Sequence, residues 1–118
     1  MQKPEKKPDS VLFALICQHI REGSYVFLSH AKKRLKERAI LDIEVLDILE
    51  AKPGKKRRRN KNKDSYEESR LDWNYCIEGV DLEGERIRII ISFDEALMPI
   101  ITVIRLSKEG EKNGIKDG

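Results

Sequence analysis

Cysteine is nearly missing from this sequence, with only Cys17 and Cys76 in 118 residues. Two thiols cannot staple a disulfide scaffold, and their separation has none of the paired spacing of a zinc site. Both are therefore expected to pack in the core. Long apolar runs are missing as well. The longest, Val11 to Cys17, falls far short of the roughly 20 residues that cross a bilayer. Its setting, MQKPEKKPDSVLFALIC, mimics a signal peptide only superficially. Pro4, Pro8 and Asp9 precede the run, and Gln18 and His19 follow it with no small-residue cleavage site. The start is read as a mature N-terminus, and the expected location is cytoplasmic. A phosphate-binding Gly-rich loop, an HExxH helix and a nucleophile elbow are also absent. Neither a metal nor a small-molecule cofactor is expected.

Charge is plentiful and unevenly placed. The net charge of +3 conceals a segment at 52–63, KPGKKRRRNKNK, that holds eight of the 24 Lys and Arg, leaving 16 basic against 21 acidic residues elsewhere, a body of −5. Clustered cations neutralise phosphates and release counterions, so one reading is a locally contacted polyanion such as RNA. The other reading is a solvated loop. At 39% hydrophobic residues, the chain suits a single core. One domain is expected over 9–107 with a basic loop at 52–65, flanked by loose tails at 1–8 and 108–118.

Periodicity supplies the elements. Asp9 or Ser10 caps a helix through about Glu22, in which Val11, Leu12, Leu15, Ile16 and Ile20 recur at helical spacing before Gly23 stops it. His19 on this helix reads as a satisfied core histidine. Tyr25 to Leu28 reads as a short extended segment, with Ser29 capping a second helix from His30 to Ala39. There Ala31, Leu35 and Ala39 form a core stripe, and His30, Arg34 and Arg38 form a ridge along its border. A third helix runs from Asp42 to about Ala51 and ends at Pro53 and Gly54. The period then becomes two. Leu71, Trp73, Tyr75 and Ile77 share one strand face, and Ile87, Ile89, Ile91 and Phe93 share one face of the next, with a third strand over Ile100 to about Leu106. The expected fold class is α+β, with N-terminal helices on one face of a small antiparallel sheet. If the isoleucines face the helices, Arg86 and Arg88 project from the opposite face, and Arg105 joins them depending on register.

The string HAKKRLKER, residues 30–38, is followed by an acidic helix, a polar loop and strands ending in IITVIRL. It resembles a bacterial family of domains of unknown function with an HAxxRxxER signature. Together with YVFLSHAKKRLKE and RIRIIISF, the order of elements over about residues 11–107 is similar to the MqsR group of RelE-like mRNA interferase toxins. That resemblance implies a compact helix-plus-sheet ribonuclease fold, RNA cleavage without metal, and neutralisation by an antitoxin protein. It also brings a departure. Those toxins place a tyrosine on the second sheet strand and a lysine at the end of the last, where this chain has Arg88, and Arg105 with Lys108 nearby.

Such cleavage needs a proton acceptor near the 2′-hydroxyl, a donor near the leaving 5′-oxygen and fixed cations around the phosphate. Histidine is the side-chain type whose ordinary range lies near neutrality, and His30 lies on the arginine ridge, so it is the first candidate for acid or base. Arg34, Arg38 and Arg88 are candidates for the phosphate, and Tyr75, with Glu78, is held in reserve. Lys55, Lys56, Arg57, Arg58, Arg59, Lys61, Lys63, Arg86 and Arg105 are candidates for nucleic-acid contact. Each has a plainer role open to it. His30 can bond a nearby carboxylate or carbonyl, Arg34 and Arg38 can hold the helix onto the sheet by pairing with Glu44, Asp72 or another acid, Arg86 and Arg88 can solubilise the sheet, and Trp73 can be core. Three functions stay open: an RNA-cleaving toxin, a non-catalytic nucleic-acid-binding module, and a protein-interaction domain that accepts a partner strand at its sheet edge.

Overall fold

The first helix, α1 (Asp9–Glu22), forms where Leu12 and Ile16 repeat at four-residue spacing, and both are fully buried. It stops at Gly23, whose φ of 71° is left-handed and whose N–H returns to the carbonyls of His19 and Ile20. This description comes from a computed structural model covering residues 3–51, 57–68 and 70–106. A three-residue strand, β1 (Tyr25–Phe27), leads into α2 (Ser29–Arg38), which starts at the expected cap residue itself, so that Leu28 takes the cap position. Of the expected stripe on α2, Ala31 is buried and Leu35 packs against the core, but Ala39 is exposed and terminates the helix at φ 54°. Helix α3 (Asp42–Glu50) buries Val45, Ile48 and Leu49, and Glu44 accepts the Leu41 N–H at its start, at 2.9 Å. Pro53 and Gly54 lie outside the described residues.

Four more strands follow: β2 (Arg57–Arg59), β3 (Tyr75–Val80), β4 (Arg86–Ile91) and β5 (Met98–Arg105). The sheet runs β1-β5-β4-β3-β2. Three of its ladders are antiparallel, but β1 lies parallel to β5, Tyr25 opposite Met98 and Phe27 opposite Ile100. The sheet is mixed, which corrects the antiparallel expectation. A parallel pair needs a long crossover, and the stretch from β1 to β5 contains two helices and the entire meander.

Tyr75 and Ile77 of β3, Ile87, Ile89 and Ile91 of β4, and Met98, Ile100 and Val103 of β5 are all fully buried with the helices' apolar residues. A bulge makes this possible on β5. Ile90 faces Thr102 and Ile91 faces Ile100, which leaves Ile101 as the extra residue and brings Ile100 and Val103 to the same side despite their odd spacing. Among the described residues, no helix is long and apolar enough to cross a membrane.

Candidate nucleic-acid interface

Residues opposite one another on neighbouring strands share a face. Arg58, Glu78, Arg88 and Ile104 are successive partners across β2, β3, β4 and β5, and Cys76, Ile90 and Thr102 form the adjacent row. Both rows lie on the face turned away from the isoleucine core. At their centre is Glu78, whose side chain is only 4% exposed. Its Oε1 lies 3.0 Å from Arg58 and 3.5 Å from Arg86, and its Oε2 accepts from Arg88 at 3.0 Å and from Asn60 at 2.9 Å. Burial opposes ionisation here. The hydrogen bonds from Asn60 and Arg88 and the charges of Arg88 and Arg58 outweigh it and hold the carboxyl below its usual range. One carboxylate thus gathers three guanidiniums. The side chains of Arg58 and Arg86 remain 64% and 56% exposed.

Cys76 is fully buried in the neighbouring row, its Sγ 3.9 Å from Glu78 Oε2. Burial, aided by Glu78 and Asp64 and opposed by Arg88, pushes this thiol up to about 11, so it stays protonated at neutral pH.

Within the described part of the basic segment, three residues are strand and not loop. Arg57, Arg58 and Arg59 form the edge strand β2, and alternation sends only Arg58 to the outer face. Arg57 is 4% exposed, donates to the Leu49 carbonyl at the end of α3 and lies over the Phe13 ring. Arg59 is buried against Asp64, at 2.8 Å, and also pairs with Asp9. These two are structural cations, Arg57 held at a helix terminus with its Nε buried and without a hydrogen-bond partner, and Arg59 held by acids. Lys61 and Lys63 sit exposed on a 3₁₀ turn after β2. Lys55 and Lys56, like Lys52 and Lys108, lie outside the described residues.

The helix ridge is real but stands apart from the arginine row. His30 and Arg38 are exposed, and Arg34 pairs with Glu37 of its own helix at 3.6 Å, not with Glu44 or Asp72. Helix α2 packs on the core side of the sheet through Ala31, so the sheet separates His30 from Arg88. Arg105 is opposite Ile87 and therefore shares the core side. It ion-pairs with Asp81 and Glu85 and donates to the Arg38 carbonyl, and does not join Arg86 and Arg88. Tyr75 also points into the core and is fully buried. Its hydroxyl donates to Asp72 at 2.6 Å and accepts from the Lys7 N–H at 3.0 Å, and burial foremost pushes the phenol far above its ordinary value. A phosphodiester does not reach it, and Tyr75 is corrected from a catalytic to a structural residue. Trp73 packs against the core cluster, as its plainer reading had it. His19, with Nδ1 2.9 Å from the Ser24 carbonyl, is satisfied as expected.

A family model described as a domain of unknown function (DUF4258) matches residues 27–105. The chain belongs to this family. The DUF4258 span runs from the last residue of β1 to the last residue of β5, so it holds the whole Glu78 cluster and leaves α1 and the segment before it outside. No curated protein and no solved structure matches the chain.

Glu78 and Asn60 are the residues that inspection of the sequence undervalued. The available signal was alternation: on β3 Glu78 occupies an outward position, as Arg86 and Arg88 do on β4, and a single acid among outward arginines marks a nucleus for them.

Proposed function

We propose that this DUF4258 domain binds RNA across the outer face of its sheet, with Arg58, Arg86 and Arg88 contacting successive phosphates. The observation that carries this reading is the gathering of three guanidiniums about one buried carboxylate. Glu78 fixes their spacing, and the planar guanidinium fork matches phosphate oxygens. The rows beside them supply Ile90, Thr102 and Ile104 and no aromatic ring, so the contact is to the backbone more than to stacked bases. Lys61 and Lys63 extend the positive potential at the edge. Changing all three arginines to glutamine is expected to flatten the slope of log affinity against log salt for a labelled RNA by roughly two to three. An unchanged slope refutes the assignment.

A second reading is cleavage, as the likeness to the MqsR and RelE-type toxins implies, with an antitoxin protein as the regulatory partner. The guanidinium cluster favours it: three fixed cations can hold the phosphate as charge builds, with Glu78, 4% exposed and held below its usual range, positioning them and not acting as the base. His30, on the other side of the sheet, has no part in this version. Long RNA incubated with the protein in EDTA should yield fragments ending in 2′,3′-cyclic phosphate, and Arg88→Gln should strongly reduce them. RNA that binds but stays intact leaves the domain as a binding module.

A further inference from the structure

The segment Lys3–Pro8 lies outside the family span, yet it is held by residues within it. Trp73 Nε1 donates to the Pro4 carbonyl at 2.7 Å, and Arg59 donates to the Lys7 carbonyl at 2.7 Å. The Lys7 N–H donates to the Tyr75 hydroxyl at 3.0 Å. Its three lysines are placed as well. Lys7 Nζ reaches Asp72 at 2.6 Å and lies over the Phe93 ring, while Lys3 and Lys6 lie over the Trp73 ring at 5.2 and 4.7 Å, and Lys6 also faces Asp64 at 3.7 Å. The Asp64 and Asp72 side chains are 0% and 7% exposed. Tyr66 backs the Trp73 ring at 5.7 Å between centroids.

These are the elements of a peptide-recognition groove. Aromatic faces and buried carboxylates take ammonium groups, and fixed donors and an acceptor read main-chain carbonyls and an amide. Its occupant is suited to be read this way. Lys3 and Lys7 each precede a proline, which biases them to extended backbone, and Pro8 itself is extended at φ −71°, ψ 163°. Little chain entropy is therefore lost on docking.

We propose that this groove is a binding site for an extended lysine-proline segment of a partner protein, and that residues 3–8 occupy it in cis. Charge complementarity carries the choice of partner, since each carboxylate in the groove already meets a lysine. The receiving residues belong to the family domain, whereas the occupant is an addition in front of it. The site is separate from the arginine row, and RNA affinity does not bear on it.

The test uses the full-length chain and a labelled peptide of residues 3–10, KPEKKPDS. Trp73 is the sole tryptophan, so its emission reports directly on occupancy. Lys7→Ala in the chain weakens the cis occupant, and this variant should bind the wild-type peptide about tenfold more tightly than the unaltered chain does. A peptide that itself carries the alanine should bind about tenfold more weakly. The proposal is overturned if a folded Lys7→Ala chain prefers the peptide no more than a scrambled version of the same composition. It is also overturned if the chain dimerises with concentration while excluding peptide, since the segment would then serve exchange between copies. A second measurement covers a variant that does not fold. In the unaltered chain, millimolar peptide should shift the amide resonance of Lys7 and the indole resonance of Trp73, and no shift sinks the idea.

Discussion

Glu78 on β3 stands directly across from Arg88 on β4, and carboxylate and guanidinium meet at 3.0 Å. The same carboxylate holds Arg58 and Arg86, so one acid sets the geometry of the outer face, and its protonation should be felt in both stability and binding.

Glu78→Gln should cost about 1.5–3 kcal/mol at neutral pH, the range for hydrogen bonds to a charged group. The folded carboxyl titrates below its ordinary 4.5. Its contribution is therefore complete above that value and is lost as pH falls through the folded value. Urea unfolding of both proteins between pH 7 and pH 3 should show the gap narrowing towards acid. A gap constant with pH would mean that the charge of Glu78 is not what stabilises the cluster.

Arg59→Met should be more damaging, by roughly 3–5 kcal/mol, because it takes the nearer cation from the buried Asp64 carboxylate and leaves it only Lys6 at 3.7 Å. Asp64 Oδ1 also accepts the Cys76 N–H at 2.9 Å, so Asp64→Asn can keep that bond while removing the charge. Adding Asp64→Asn to Arg59→Met should recover part of the loss. Thermal melts of the single and double variants decide it, and strict additivity would contradict the coupling.

Tyr75→Phe tests the reassignment of a residue first considered for catalysis. Losing the hydroxyl removes bonds to Asp72 and Lys7, so stability should drop by about 1–2 kcal/mol. RNA affinity, measured by anisotropy, should stay unchanged. A loss of affinity at equal stability would return Tyr75 to the interface.

His30→Ala should leave both RNA affinity and any cleavage unaltered, since His30 lies on the exposed part of α2 across the sheet from the arginines. Arg88→Gln, at a side chain 22% exposed, should weaken binding of the same RNA about tenfold. The reverse ranking in a side-by-side titration would move the site to the helix ridge.

Helices α1 and α3 and strands β3 and β4 were legible because their buried apolar residues recur at regular spacing, from Leu12 and Ile16 through Ile87, Ile89 and Ile91. Strand β2 was not. Three consecutive arginines look solvated, and only its pairing with β3 reveals that Arg57 and Arg59 turn inward to Leu49 and to Asp64 and Asp9. The side taken by Arg105 depended on the bulge at Ile101, and bulges leave no mark in a period-two pattern. Arg86 and Arg88 were placed on the outer face correctly because nothing interrupts alternation along β4. The convergence of His30 with them needed a tertiary arrangement that neither helix nor strand periodicity encodes.

The pairing of Tyr25 with Met98 has a temporal consequence. During synthesis the N-terminal part of the chain, α1 through α3, emerges well before β5, and the short strand between α1 and α2 must wait for the last one to leave the ribosome. Closure of so large a loop is slow relative to helix formation. A nascent chain halted before residue 98 would therefore present a native-like set of helices with no completed sheet beneath them.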